Sequence, residues 1–350
     1  MNEWPYYSAP EDAPAEHAGE VSSHDDHASS HHEDSPAEDQ AVDQIDEEQA
    51  DEMPEDTGND PVPVAPFVPA PNRPKETRII AMMNQKGGVG KTTTAANLAA
   101  ALVMEGMRVL TIDMDPQAHL SLSFGVEIDE ESYSLYDLLS DDDLEAEDVI
   151  CEIYPGLTLL PSEVNLAGIE GELAPKVITG QAQRVLKDKL AATLSDENPE
   201  KPDFVIIDCP PSLGLLTINA LTLANEVIVP MQAHFLALQG LSKLLETVQL
   251  IRNGFNANLT VSGIILCMHD AQTILAGEVV GDLQAFLEGS RDAKVPWQNA
   301  VIYQPYIRRN IKLAESPSFG KTIFEYAPTC PGARDYETLA QSVLAQSVTG

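Results

Sequence analysis

The stretch "MNQKGGVGKTTTAANLA", residues 83–99, decides the fold. It has the ingredients of a phosphate-binding loop: clustered glycines, a Lys-Thr pair, and then a run of alanines and a leucine suited to a helix. The common pattern is G-x-x-x-x-G-K-[ST]. Counted back from Gly90-Lys91-Thr92, its first glycine falls at position 85, which is Gln85. The glycines stand instead at Gly87 and Gly88, and a second lysine, Lys86, precedes them.

Each residue type has a physical reason to be there. Gly87, Gly88 and Gly90 let the backbone curl until its N–H groups point inward, and the start of a helix adds partial positive charge. Lys91 is placed to reach β- and γ-phosphates, and the Thr92 hydroxyl to meet Mg²⁺. By residue chemistry alone, Gly87, Gly88, Gly90, Lys91 and Thr92 are the expected phosphate and Mg²⁺ contacts.

Outward from the loop, apolar runs alternate with helical patterns. The runs are 77–83, 107–113, 156–161, 203–208, 226–231 and 261–268; helical spacing is legible at 92–104, 181–194 and 240–252. Buried strands alternating with helices predict an α/β fold, a mainly parallel sheet with helices on both faces. Carboxylates follow two of the runs. "VLTIDMDPQAH" places Asp113 and Asp115 after the second, and "FVIIDCPPSLG" places Asp208 after the fourth. A carboxylate at such a strand end can hold the Mg²⁺ shell.

The formal charge of the 350 residues is −36, unevenly spread. Residues 1–72 carry −20 with no Lys or Arg, and the rest −16. The expected organisation is a disordered acidic tail over 1–60, a Pro-rich linker over 61–76 and an α/β P-loop domain over 77–350. The tail's His24, His27, His31 and His32 read as solvated residues of an acidic segment. No run is long and apolar enough for a membrane helix, and the first residues do not resemble a secretory signal. Cys151, Cys209, Cys267 and Cys330 lack C-x-x-C spacing and read as reduced packing residues, so a cytoplasmic protein is expected.

The segments "KGGVGKTTT", "IDMDPQ", "FVIIDCPPSLGLLTINAL", "VPMQAHFLALQGL" and "RRNIKLAESPSFGKTI" resemble, in order, motifs of the ParA/Soj partition ATPases of the wider ParA/MinD group, whose P-loop is the deviant Walker A form. The resemblance covers about residues 77–346. It implies ATP and Mg²⁺ as cofactors, a nucleotide-contacting set of Lys86, Gly87, Gly88, Val89, Gly90, Lys91, Thr92 and Thr93, and a homodimer with ATP sandwiched between subunits, Lys91 acting in its own subunit and Lys86 crossing to the partner's nucleotide. It implies that Asp115 orients or activates the attacking water, and that Asp113 and Asp208 support Mg²⁺. It further implies a ParB-like activator, non-specific DNA as a partner, and nucleoid association.

The matching DNA patch is Arg308, Arg309, Lys312 and Lys321, locally basic in an acidic domain. Two departures stand out: Gln249 and Gln272 occupy positions where the family often has arginine. The alternative within the group, a MinD-like membrane ATPase, needs a basic amphipathic C-terminal helix. Here the stripe Tyr336, Leu339, Ala340, Val343 and Leu344 lies among Arg334, Asp335 and Glu337, which suits core packing better, and no membrane partner is expected.

Overall fold

The computed structural model describes residues 67–347, apart from 130, 235, 236, 271 and 272. The acidic tail, its histidines, the first part of the linker and Gln272 lie outside the described residues. Those described belong to a unit spanning Pro61–Gly350.

The strands are β1 (Arg78–Met82), β2 (Val109–Asp113), β3 (Cys151–Tyr154), β4 (Leu157–Leu160), β5 (Phe204–Asp208), β6 (Glu226–Met231), β7 (Thr260–Leu266) and β8 (Val301–Ile302). They form one sheet in the order β3-β4-β2-β5-β1-β6-β7-β8. Every pairing is parallel except β3 with β4. The helices are α1 (Lys91–Met104), α2 (His119–Ser123), α3 (Leu135–Ser140), α4 (Ile169–Val177), α5 (Val185–Lys189), α6 (Leu215–Leu223), α7 (Ala237–Gly254), α8 (Ile274–Gly289), α9 (Ile311–Glu315), α10 (Ile323–Tyr326) and α11 (Pro331–Ser347).

Side chains alternate across a strand, so each central strand feeds two cores. From β1, Ile79 and Ala81 face one core, while Ile80 and Met82 face the other; β5 divides the same way, Val205 and Ile207 against Phe204 and Ile206. The first core is closed by α3 through α8, the second by α1, α2, α10 and α11. This is the expected two-faced α/β architecture. Helix α11 spends its apolar stripe on the second core: Tyr336, Leu339, Ala340 and Val343 are all buried.

Two local departures from the sequence pattern have visible causes. The helical spacing over 181–194 yields only the short α5. In a longer helix the Leu186 N–H would bond to the Ala182 carbonyl. Here Asn219 of α6 stands between them: its Oδ1 accepts from Leu186 N–H at 3.2 Å and its Nδ2 donates to Ala182 O at 2.8 Å. The second departure is at residues 67–76, which read as linker but lie against the domain. Ala70 N–H donates to Gly106 O at 2.9 Å, and Arg73 Nη1 lies 3.6 Å from Asp203 Oδ1. Gly106 and Gly156 make room for this strap. Both have positive φ, 79° and 93°. A Cβ on Gly106 would lie 2.7 Å from Ala70 N, and one on Gly156 2.5 Å from the Phe67 ring.

Candidate nucleotide site

The loop of residues 83–90 leaves β1 and opens α1, at the carboxyl end of the sheet where β1 lies between β5 and β6. Gly88 and Gly90 have φ of 69° and 94°, which a side-chain-bearing residue rarely adopts. Gly90 is the N-cap of α1, and the Thr94 N–H donates to its carbonyl at 2.9 Å. The two lysines meet opposite surroundings: Lys91 is 7% exposed, while Lys86 is exposed with Gly87 and Gly88. Val89 is buried, and Thr92 and Thr93 are partly so.

Register brings the acidic residues to this loop. In the ladders Met82 pairs with Asp208 and Asp208 with Asp113, so the ends of β1, β5 and β2 lie side by side. Thr92 Oγ1 donates to Asp208 Oδ2 at 2.6 Å. Asp208 Oδ1 is buried and has no hydrogen-bond partner among the described residues. Burial, and then the charge of Asp113, push the Asp208 carboxyl up to about 8, against the pull of the Thr92 hydroxyl and Lys91. An orphaned, destabilised carboxylate oxygen beside a threonine hydroxyl fits a hard divalent cation, which favours oxygen ligands.

Asp113 is arranged differently. Its Oδ2 accepts from both Ser121 N–H and Ser121 Oγ at 2.8 Å, and its Oδ1 accepts from Asp115 N–H at 3.2 Å. Burial raises its pKa to about 6, and the Ser121 hydrogen bonds oppose that shift. Asp113 thus holds α2 and the Asp115 turn in place. Asp115 is partly exposed. Its Oδ1 accepts from Gln117 N–H at 3.0 Å and its carbonyl from Ser162 Oγ at 2.8 Å. Ala118, at φ 54°, closes the turn. Its non-glycine positive φ is a local strain that the Asp113–Ser121 and Ser162 contacts hold.

The proposed DNA patch divides in two. Arg308 grips the buried Asp335 with Nε at 2.9 Å and Nη2 at 2.7 Å, and Lys312 Nζ lies 2.9 Å from Glu315 Oε2. Arg309 and Lys321 are exposed and have no ion pair among the described residues. Gln249 is half-buried at the flank of α7, donating to Asn253 Oδ1 at 2.9 Å. The sequence pattern did not single out Asn84 and Gln232. Both bond to or around the loop, and both lie in or beside motifs that carried the resemblance, which is the signal that would have found them.

Fold and site together define a P-loop nucleotide-binding α/β protein with an extra loop lysine. A family model described as an AAA domain matches residues 77–261. The chromosome partitioning protein ParA of Caulobacter vibrioides is 38% identical over 269 residues, covering 77% of this chain and 94% of that protein. The chromosome-partitioning ATPase Soj of Thermus thermophilus is 42% identical over 271 residues, covering 77% and 97%. Among solved structures, cobyrinic acid a,c-diamide synthase from Mycobacterium smegmatis, with bound ATP analog and magnesium, matches at TM-score 0.63 and 34% identity, over 77% of this chain and 95% of that one. The chain belongs to the Soj/ParA family of chromosome-partitioning ATPases.

Proposed function

We propose that this chain hydrolyses ATP to ADP and phosphate with Mg²⁺, that it does so as an ATP-bridged homodimer, and that the dimer binds DNA without sequence preference. A ParB-like partner stimulates hydrolysis, and the cycle segregates or positions a chromosome, plasmid or other cargo near the nucleoid. The observation that carries the reading is the Thr92–Asp208 hydrogen bond with its orphaned Asp208 Oδ1, set beside the buried Lys91.

The residues divide the work. The loop N–H groups and Lys91 bind the phosphates from within the subunit. Thr92 and Asp208 would hold Mg²⁺, which would supply charge neutralisation at the transferring phosphoryl group. Exposed Lys86 delivers a second positive charge across the dimer, so that charge is complete only after two subunits meet. Asp115, on its braced turn, orients the attacking water, and Asp113 supports that turn from below. The apolar stripe of α11 is consumed by core packing, so the MinD-like membrane reading gains no support from it.

The test is Asp115→Ala. Nucleotide binding and the ATP dimer survive in it, while single-turnover hydrolysis falls by roughly 10²–10⁴-fold, the usual worth of a positioned base. Normal hydrolysis in that variant would move the role to another carboxylate. Absence of an ATP dimer in the unmodified protein would remove the sandwich from the mechanism.

A further inference from the structure

The half of the loop that carries Lys86 is anchored to a strand other than its own. Asn84 Nδ2 donates to Pro230 O at 2.8 Å, and Asn84 Oδ1 accepts from Lys86 N–H at 3.0 Å. Two residues on from Pro230, Gln232 Nε2 donates to Gly88 O at 3.1 Å. Both anchors come from the end of β6 and the segment just after it. The Lys91 half is fixed instead by α1, by the Thr92–Asp208 bond, and by Gly90, where an added Cβ would lie 3.3 Å from that of Cys267.

The glycines of the Lys86 half face open space where a side chain would stand. A Cβ added to Gly87 or Gly88 would meet no heavy atom within 4 Å. A cavity of about 120 Å³ lies beside it, lined by Asn84, Lys86, Val89, Met231, Gln232 and His234, so the turn has room to sink if its tether is cut. Gln232 is itself held at further points. Its Nε2 lies 3.0 Å from Met268 Sδ, its Oε1 is hydrogen-bonded to His234 Nε2, and Met268 itself adopts a positive φ of 50°. A strained non-glycine residue beside a functional loop is a reason to look for a role.

We propose that Gln232 is a positioning residue for Lys86: through Gly88 O it fixes the glycine turn from which Lys86 projects, and it takes no part in holding the nucleotide in its own subunit. The proposal rests on the reading of Lys86 given above and names the residue that aims it. The motif "VPMQAHFLALQGL" thereby acquires a task at its fourth position.

The test uses the full chain. Gln232→Glu keeps the size and the acceptor toward His234 but removes the donor to Gly88 O; Gln232→Ala removes both. For each, kcat is expected to fall about tenfold or more, since a misplacement near 1 Å can cost up to about 10²-fold. KM for ATP stays within about twofold and the melting temperature is unchanged. Hydrogen exchange over residues 84–90 accelerates. Combining Gln232→Glu with Lys86→Ala gives a chain no slower than Lys86→Ala alone, because residues acting as a unit are not additive. Unchanged exchange, unchanged kcat beside an inactive Lys86→Ala, additive losses, or a raised KM at constant kcat would each overturn the proposal. Faster loop exchange beside a fully active Lys86→Ala would keep Gln232 as the tether and bring down the role of Lys86 instead.

Discussion

Lys86 and Lys91 stand five positions apart in one loop, and their surroundings assign them different work. A buried lysine is costly without anionic partners, and Lys91 lies within the influence of Asp208. Lys91→Ala should therefore abolish ATP binding by equilibrium titration. Lys86→Ala should bind ATP nearly as the unmodified chain does, yet fail to dimerise or turn over in light scattering and hydrolysis assays. A dimer of normal strength in the Lys86 variant would refute the crossing role. The carboxylates give a second test at the same scale. Asp208 is raised to about 8 and Asp113 to about 6, against about 3.9 for a free aspartate. A raised carboxyl contributes stability that is whole below about pH 4 and lost as pH climbs to the folded value. The nucleotide-free chain should thus lose stability between about pH 6 and 8, at up to about 1.4 kcal/mol per pH unit for Asp208. Asp208→Asn should flatten that slope, and Mg²⁺ with ATP should stabilise the unmodified chain more at about pH 8 than at about pH 6. Thermal melts across roughly pH 5.5 to 8.5 decide it; parallel curves for the two chains would count against the assignment.

Between residue and fold, Asn219 shows how one side chain trims an element. It partners the Ala182 carbonyl and the Leu186 N–H, which in this backbone do not bond to each other, so Asn219→Ala leaves both buried groups unsatisfied and should cost about 1–3 kcal/mol in urea unfolding. The same side chain explains what the sequence could and could not reveal. The central strands were legible because β1, β2, β5, β6 and β7 are continuous apolar runs buried on both faces, and α1 and α7 because their periodicity is long. The late start of α5 was hidden, since its cause is a residue 33 positions from Leu186. Strand β3 was hidden as well: "CEIY" is four residues at an edge, paired antiparallel, with no face fully buried. The strap at 67–76 looked like a linker because proline-rich sequence carries no periodicity, and its seat is made by glycines elsewhere, at 106 and 156. The gathering of the loop and three carboxylates at neighbouring strand ends was readable from motif and strand ends. What was not readable is which oxygens are already occupied: Asp113 is satisfied by Ser121, while Asp208 keeps one oxygen open.

At the scale of the whole molecule, charge sets the problem. The chain carries −36 overall, yet the proposed function asks it to bind a polyanion. Net charge opposes that encounter, so affinity depends on which cations are free to meet phosphates. Arg308 is occupied: its bidentate pair holds Asp335, which is 2% exposed, against the segment before α9. Removing Arg308 leaves a buried carboxylate unpaired, a change that destabilises strongly. Lys312 is partly neutralised by Glu315. Arg309 and Lys321 are the cations of this patch that remain free among the described residues. The four should therefore separate by readout. Arg308→Ala should lower the melting temperature. Arg309→Ala and Lys321→Ala should leave melting unchanged and weaken binding of the ATP-bound protein to any DNA sequence alike. For every phosphate a variant no longer neutralises, the dependence of log affinity on log salt should flatten by about 0.9, and a dimer presents each residue twice. Titrations of one random duplex at several salt concentrations, with ATP and Mg²⁺, measure these slopes. If the Arg309 and Lys321 variants keep the full slope and affinity, DNA is bound elsewhere on the molecule; if Arg308→Ala reduces the slope without lowering the melting temperature, the ion pair with Asp335 opens on DNA and Arg308 rejoins the patch.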